Sequence, residues 1–229
     1  MCEDLVKDRP VLEAIEPHLA LALVVDVSAS MQIEENGIKR INSLNKAINS
    51  MIDTINEDAR LRNILDLGIF VFGEKDREPV YQGFRAISEC EHITLQANDN
   101  ETWVSDALNT AVDRLRERTN RYAQGGGAYK PWLVLITDGQ FFDGSELNIV
   151  ASRMKQRELE NKLQFFGLGV QGYDRSQLEK LTNMPNHVID VKAANFAEFL
   201  SWVGRSFATI SQKPVDATDI ELPPLIFKA

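Results

Sequence analysis

Oxygen-bearing side chains recur at every second position in the segment LALVVDVSAS, where an apolar run ends in Asp26, Ser28 and Ser30. A carboxylate and two hydroxyls are hard donors, which suit Mg²⁺, Mn²⁺ or Ca²⁺ rather than zinc. Two further residues have similar settings: Asp138 ends the apolar run WLVLITDG, and Thr102 lies where the loop of NETWVSDAL enters a helix. Together these side chains predict a divalent-cation site with a position open to water or an outside ligand.

Each of these residues also has a simpler explanation when it is taken alone. Ser28 and Ser30 could satisfy loop backbone groups, Thr102 is a good helix N-cap residue, and Asp138 followed by Gly139 could be turn chemistry. Short motifs match by chance often enough to favour the simpler explanation for any single residue. The combination, in this order along the chain, favours the metal site.

Six segments have the apolar composition of buried strands, and helical stripes with apolar residues three or four positions apart alternate with them. The predicted strands are 18–28, 65–73, 78–90, 132–139, 163–170 and 187–191. Five helices are predicted. The first starts at Ile38 and ends near Asp58, the second runs from Thr102 to Leu115, and the third covers 145–161. The fourth includes Leu178 and Leu181, and the fifth runs from Phe196 to Ile210. The segment ASMQIEENG before the first helix is predicted to be a loop.

This alternation predicts an α/β fold: a doubly wound, mostly parallel six-stranded sheet with helices on both faces. One edge strand is expected to be antiparallel, because the short charged link EKDRE joins the second and third strands as a hairpin. Ligands of open α/β sheets bind at the carboxyl ends of the strands. Asp26 and Asp138 are therefore expected at the same edge of the sheet.

Composition argues against several classes of partner. Lys and Arg number 25 against 34 Asp and Glu, and the net charge of −9 opposes general attraction to nucleic acid or to an anionic membrane. Cys2 and Cys90 form no CxxC pair and no zinc-ligand pattern, so a disulfide framework is not expected. The N-terminus lacks the apolar core of a signal peptide, and no apolar run could span a bilayer. A cytoplasmic location is the expectation.

The elements DVSAS, TWVSDAL and KPWLVLITDG resemble the von Willebrand factor type A (vWA) domain and its metal-ion-dependent adhesion site, or MIDAS. The resemblance covers about residues 17–212, which leaves 1–16 as an N-terminal extension and 213–229 as a C-terminal tail. It implies that Ser28, Ser30 and Thr102 bind the metal directly or through water, that Asp138 supplies charge, and that Asp26 holds inner waters. It also implies a partner protein that contributes an acidic side chain. The Lys-Pro before the fourth core strand is most similar to bacterial intracellular vWA proteins of the tellurium-resistance (TerY-like) type.

Two departures from the family pattern lie beside the predicted site. Ala29 replaces the usual Gly between the serines, and Asn100-Glu101 replaces the Gly-Gly that often precedes the Thr. The first is a small change. Glu101 places a carboxylate beside the site, where it could add a ligand or repel an acidic partner.

The predicted function is metal-dependent protein binding, as an adaptor or scaffold in a stress-resistance or signalling system, with Mg²⁺, Mn²⁺ or Ca²⁺ as the cofactor. Its alternative is a metal-dependent hydrolase or phosphatase that uses the same site. An enzyme is not expected, because His18, His92 and His187 fit loop or strand-end positions and only Glu101 could be tried as a general base.

Two glycine-rich segments suggest other ligands. Gly167, Gly169 and Gly172 spell GxGxxG with Asp190 downstream, as in a nicotinamide-dependent oxidoreductase, but the first two are expected inside a strand. The glycines at 125–127 precede Lys130, but Pro131 and a strand follow, so this is not a phosphate loop. The tail also contains apolar residues between its prolines: Ile220, Leu222, Leu225, Ile226 and Phe227. They could dock in a groove of this protein or of a partner, or they could form a disordered end.

Overall fold

The computed structural model of the chain describes residues 5–10, 16–217 and 220–227. Within this part of the chain, the strands are β1 (Leu19–Asp26), β2 (Glu34–Glu35), β3 (Ile38–Lys39), β4 (Leu65–Phe72), β5 (Val80–Ala86), β6 (Trp132–Thr137), β7 (Gln164–Val170) and β8 (Val188–Val191). The α-helices are α1 (Arg40–Glu57), α2 (Leu61–Ile64), α3 (Ser105–Ala123), α4 (Ser145–Leu159), α5 (Arg175–Lys180) and α6 (Phe196–Ser211).

The central sheet has six strands in the order β5-β4-β1-β6-β7-β8. Strands β4, β1, β6, β7 and β8 are parallel to one another, and β5 pairs antiparallel with β4. The predicted mixed sheet with one antiparallel edge strand is therefore confirmed. Because β1 lies in the middle with neighbours on both sides, its carboxyl end adjoins those of β4 and β6.

Every residue of β1 is buried, because both faces of the sheet are covered by helices. Alternate side chains of a strand point to opposite faces. Leu19, Leu21, Leu23 and Val25 therefore belong to the apolar cluster that includes α1 and α6, whereas Ala20, Ala22 and Val24 belong to the cluster that includes α3 and α4. This explains why the strand reads as a continuous apolar run.

The predicted start of the first helix at Ile38 is wrong. Ile38 lies in β3, which pairs with β2 as a small hairpin, and α1 begins at Arg40. Asn36 and Gly37 form the two-residue turn with positive φ angles of 55° and 78°. Asn-Gly is a strong signal for such a turn, so the predicted loop ASMQIEENG contains a local signal for a hairpin.

Other boundaries also differ from their predictions. The helix predicted from Thr102 begins at Ser105. The third strand ends at Ala86, where a short 3₁₀ turn over Ile87–Glu89 replaces its predicted last residues. Cys90 is a free thiol, and Cys2 lies outside the described residues.

Residues 5–10 lie along the edge strand β5. The Gly83 N–H donates to the Leu5 carbonyl at 2.9 Å, and the Arg9 N–H donates to the Phe84 carbonyl at 2.7 Å. A Cβ at Gly83 would lie 2.6 Å from the carbonyl carbon of Lys7, so only glycine permits this approach. The segment thus covers backbone groups that an edge strand would otherwise expose.

The C-terminal residues 220–227 form no helix or strand but dock on their own domain. The Trp202 indole N–H donates to the Pro223 carbonyl at 2.7 Å. The apolar residues that pack against the α1/α6 cluster are Ile220, Leu222, Leu225 and Phe227, whereas Ile226 is exposed. The division of the chain at residues 16 and 212 stays a prediction.

None of the helices in the described ranges combines the length and apolar composition needed to cross a membrane.

Candidate metal centre

The predicted site residues meet at the carboxyl end of the central strands. Asp26 is the last residue of β1, and Asp138 follows the last residue of the neighbouring strand β6. Ser28 and Ser30 lie just beyond β1, and Thr102 lies in the loop before α3. All of these except Ser30 are buried.

Asp26 is fully buried and held by two hydrogen bonds. Its Oδ1 accepts the Ser28 N–H at 2.8 Å, and its Oδ2 accepts the Thr137 hydroxyl at 2.6 Å. Burial raises the pKa of Asp26 to about 6, against the opposing effect of these hydrogen bonds, and the nearby charge of Asp138 raises it further. Thr137 was not among the predicted site residues, because a Thr at a strand end has an ordinary structural explanation.

The two serines and Asp138 form a chain of oxygen contacts. The Ser28 and Ser30 hydroxyl oxygens are 2.9 Å apart, and the Ser30 hydroxyl donates to Asp138 Oδ1 at 2.5 Å. Ligand oxygens at 2.0–2.1 Å from an octahedral Mg²⁺ have adjacent neighbours about 2.9 Å away. The oxygens of these three hydrogen-bonded side chains therefore lie close enough together to act as neighbouring ligands of one ion.

Thr102 and the carboxylate of Asp26 both lie beside Gly139. A Cβ at Gly139 would lie 3.2 Å from Thr102 Oγ1 and 3.5 Å from Asp26 Oδ2, so both oxygens border the same small space. The loop that carries Thr102 is fixed on both sides, because the Trp103 N–H donates to the Gly73 carbonyl at 2.8 Å and the Phe142 N–H donates to the Thr102 carbonyl at 3.0 Å.

Asp143 positions this loop, and sequence reasoning did not find it. Its carboxylate accepts the N–H groups of Val104 at 2.9 Å and Ser105 at 2.6 Å, which satisfies donors at the start of α3. The Thr102 side chain is therefore not needed as the cap of this helix. Asp143 stands just before α4 in the sequence and gives no local sign that it serves α3.

Arg40 reaches into the candidate site from the first position of α1. Its Nη1 donates to Asp138 Oδ2 at 2.6 Å, its Nε donates to Glu35 Oε1 at 2.7 Å, and its side chain is only 5% exposed. The helix dipole disfavours a positive charge at a helix N-terminus. The attraction of Arg40 to the carboxylates of Asp138 and Glu35 must therefore outweigh this repulsion. Burial lowers the pKa of Arg40, but these hydrogen bonds and charges raise it above its ordinary value. Sequence reasoning missed both Arg40 and Glu35.

Glu101 belongs to an aromatic rim beside the site. Its Oε2 accepts the indole N–H of Trp103 at 2.8 Å. The Trp103 ring lies 4.8 Å from Lys75 Nζ and 6.4 Å from the ring of Phe142. The Glu101 carboxylate thus has a partner in the structure, which limits its freedom to act as a ligand or a base.

No group of three or more His, Cys, Asp or Glu side chains within residues 5–10, 16–217 and 220–227 is arranged to hold a metal ion. The candidate centre instead combines two carboxylates with three hydroxyls, a donor set that fits a hard divalent cation.

The GxGxxG segment has a packing explanation. Gly167 and Gly169 lie inside β7, as expected, and a Cβ at Gly169 would collide with the ring of Tyr173. Gly172 has a φ of +111°, so it serves a turn before α5. Gly169 and Gly172 are therefore accounted for without a dinucleotide.

The histidines have structural surroundings. His18 stacks on Tyr122 before β1, and the ring of His187 packs at a tilt against Phe166 before β8. Both lie at the edge of the sheet opposite to the candidate metal centre. His92 is exposed and contacts Asp53.

A family model described as von Willebrand factor type A domain matches residues 20–202. The chain belongs to the vWA domain family. The resemblance drawn from DVSAS, TWVSDAL and KPWLVLITDG is confirmed at this level. No curated protein matches the chain by sequence.

Solved structures with the same fold include other vWA-like chains. The pilus adhesin SpaC from Lactobacillus rhamnosus GG has a TM-score of 0.66 at 14% identity, over 89% of this chain and 32% of that one. The PilB minor pilin from Streptococcus sanguinis has a TM-score of 0.59 at 13% identity, over 86% and 62%. Proximal thread matrix protein 1 from the mussel byssus has a TM-score of 0.54 at 18% identity, over 85% and 48%.

This chain therefore spans less than two thirds of the length of each of these proteins. At such low identities, the likeness shows a shared vWA fold.

Proposed function

We propose that this vWA domain binds a divalent cation, Mg²⁺ or Mn²⁺ before Ca²⁺, through Asp26, Ser28, Ser30, Thr102 and Asp138. An acidic side chain of a partner protein would complete the coordination. The observation that carries the proposal is the continuous set of oxygen contacts from Ser28 through Ser30 to Asp138, with Asp26 and Thr102 bordering the space beside Gly139. Domains of this family often bind a metal at a MIDAS and mediate protein interactions, which supports the same conclusion.

Exposed apolar side chains on the site loops support a protein as the partner. Ile33, Ile38 and Phe142 are 49%, 53% and 58% exposed, and they lie on the segments that follow β1 and β6. A contiguous patch of large apolar residues on an exposed face is typical of protein-binding surfaces, and these three residues are candidates for such a patch. A small anion alone would make no use of them.

We infer that the domain acts as a binding module rather than an enzyme. The described His side chains lie away from the site or on the surface, and Glu101 is hydrogen-bonded to Trp103. A cytoplasmic location and a role in a bacterial stress-resistance or signalling system of the tellurium-resistance type belong to the same proposal. A stress-resistance, kinase or phosphatase gene next to its own would support that role.

Calorimetric titration with Mg²⁺, Mn²⁺ and Ca²⁺ tests the metal site. Ser28→Ala and Thr102→Ala are each expected to weaken Mn²⁺ binding about tenfold, since each removes one neutral ligand. Ser152→Ala on α4 is a matched control, because its hydroxyl contacts only the Asn148 carbonyl on an exposed helix face. Unchanged Mn²⁺ binding in both site variants would show that the site is wrongly placed.

Capture of proteins from source-cell lysate, with and without a chelator, tests the partner. Retention is expected to need the metal, to be lost with Ser28→Ala and to be reduced with Phe142→Ser. Ile149→Ser on α4, where the side chain is 69% exposed, is the matched control. A partner retained equally with chelator contradicts the metal-bridged interaction, and Mn²⁺-dependent phosphatase activity abolished by Asp26→Ala would instead identify an enzyme.

A further inference from the structure

A cavity of about 520 Å³ lies at the amino ends of β6 and β7. This edge of the sheet is opposite to the candidate metal centre. Strand β6, Trp132–Thr137, connects the two edges, and a strand of this length spans about 20 Å. The cavity walls come from the C-terminal parts of α3 and α4, the loop before β6, and the C-terminal tail.

Four cationic side chains line this cavity: Arg116, Lys130, Arg157 and Lys162. Lys162 is paired with Glu160 at 2.8 Å, and Arg116 is paired with Asp113 at 3.5 Å.

Lys130 and Arg157 are half-buried and have no ion pair within the described part of the chain. Arg157 makes one weak contact, from Nη2 to the Lys162 carbonyl at 3.4 Å, and its buried Nε has no hydrogen-bond partner. Two half-buried cations thus line one cavity without an ion-pair partner among the described residues, in a chain whose net charge is −9.

The electrostatic surroundings of both groups disfavour their charged forms. Burial lowers the pKa of Lys130, although Glu158 opposes this. Burial also lowers the pKa of Arg157, and the neighbouring charges of Arg153 and Arg116 lower it further against weaker opposing effects of Glu160 and Asp113. An anion bound in the cavity near Lys130 and Arg157 would relieve both effects.

The remaining walls of the cavity combine apolar side chains with four neutral polar ones, which are Thr119, Asn120, Asn161 and Gln164. Tyr129, Trp132 and Ile210 are buried at its base, and Ile220 and Leu222 from the tail close one side. Pockets of 300–1,000 Å³ with apolar walls and a few converging polar groups are typical of small-molecule sites. The cavity is therefore larger than an inorganic ion requires.

We propose that this cavity is a second binding site, for a small organic anion whose phosphate or carboxylate group contacts Lys130 and Arg157 and whose apolar body lies against Trp132 and the tail. Arg fits both headgroups through its planar fork of N–H donors. The C-terminal dipole of α4 explains why Arg157 is found in the last turn of that helix. It does not explain Lys130, which lies in the loop before β6.

Titration of the full chain in buffer freed of divalent metals tests this site separately from the proposed metal site. The probes are adenosine monophosphate, benzoate and uncharged adenosine. Adenosine monophosphate or benzoate is expected to bind, adenosine is not, and binding should weaken as salt is added. Binding of both anions assigns the site to small organic anions in general, and binding of only one assigns it to anions of that kind. If neither anion binds, the proposal is wrong.

The variant Lys130→Met/Arg157→Met is expected to weaken anion binding at least tenfold and to leave Mn²⁺ binding unchanged. Lys46→Met/Arg205→Met, on the exposed faces of α1 and α6, is the control with the same change of net charge. Lys130→Arg/Arg157→Lys keeps both charges and should retain binding even if the methionine pair folds poorly. Anion binding that persists in a folded methionine pair, with only a lower melting temperature, would assign the two cations to stabilising α4 and overturn the proposal.

Discussion

Asp26 is a carboxylate held away from water at the end of a buried strand. Its pKa in the folded protein is about 6, above the ordinary value of 3.8. The folded state therefore binds more protons than the unfolded state between about pH 4 and 6. The contribution of Asp26 to stability is fully present below pH 4 and is lost as the pH rises through 6. At pH 7, this loss is of the order of 3 kcal/mol for the metal-free protein.

Asp26→Asn is therefore expected to raise the free energy of unfolding of the metal-free protein at pH 7 and to have little effect at pH 4. The amide keeps an acceptor for Ser28 and a partner for Thr137 without the buried charge. Urea unfolding at both pH values measures this, with exposed Asp76→Asn as the control. The same variant should lose Mn²⁺ binding. Equal stability of wild type and variant at pH 7 contradicts the buried charge.

Arg40 is expected to compete with a divalent ion for Asp138. Arg40→Gln removes a positive charge next to the site, so Mn²⁺ affinity should rise by about tenfold. The metal-free variant should be less stable, because Asp138 loses its buried ion-pair partner. Calorimetry and urea unfolding measure the two effects. Arg62→Gln, which makes the same charge change on an exposed surface, is the control. Weaker Mn²⁺ binding in Arg40→Gln would mean that Arg40 positions Asp138 for the metal.

Among the elements, the start of α3 depends on a carboxylate from a different segment. Asp143→Ala leaves the N–H groups of Val104 and Ser105 unsatisfied, which should lower stability by about 1–2 kcal/mol. Because Thr102 lies in the same loop, Mn²⁺ affinity should fall severalfold as well. Thermal unfolding and calorimetry measure both, with exposed Asp106→Ala in the first turn of α3 as the control. Lower stability with unchanged Mn²⁺ affinity would separate the cap from the site.

The parallel strands were predictable because burial on both faces leaves a continuous apolar run that is visible in the sequence. Asp26, Ser28 and Ser30 were predictable for a related reason, since their spacing is local. Arg40 and Asp143 were not predictable, because each acts on a segment far from it in the chain: Arg40 contacts Asp138, and Asp143 caps α3. The hairpin before α1 is locally encoded by Asn36-Gly37, but the apolar stripe that starts at Ile38 favours a helix over the adjoining residues.

At the scale of the whole molecule, residues 5–10 complete the fold by covering the edge strand β5. Removal of residues 1–10 exposes backbone groups of Gly83 and Phe84 and deletes the Asp8–Arg114 ion pair. The truncated chain is expected to melt at a lower temperature and to self-associate at high concentration. Light scattering after size-exclusion chromatography and thermal unfolding measure this.

Gly83→Ala in the full chain is a second route to the same effect, because its Cβ would displace the backbone near Lys7. It should reproduce the loss of stability in weaker form. A truncated chain with unchanged melting temperature and no self-association would show that the segment does not protect the edge.

The parallel run of β4, β1, β6 and β7 also has a mechanical consequence. Force applied along these strands, between the metal end and the opposite edge of the sheet, must slide neighbouring strands past one another and so loads many ladder hydrogen bonds at once. Force applied across the sheet peels β5 or β8 away one bond at a time. Single-molecule pulling along the strands should therefore need a higher unfolding force than pulling across them. The domain would then resist force strongly in one direction and weakly in the other.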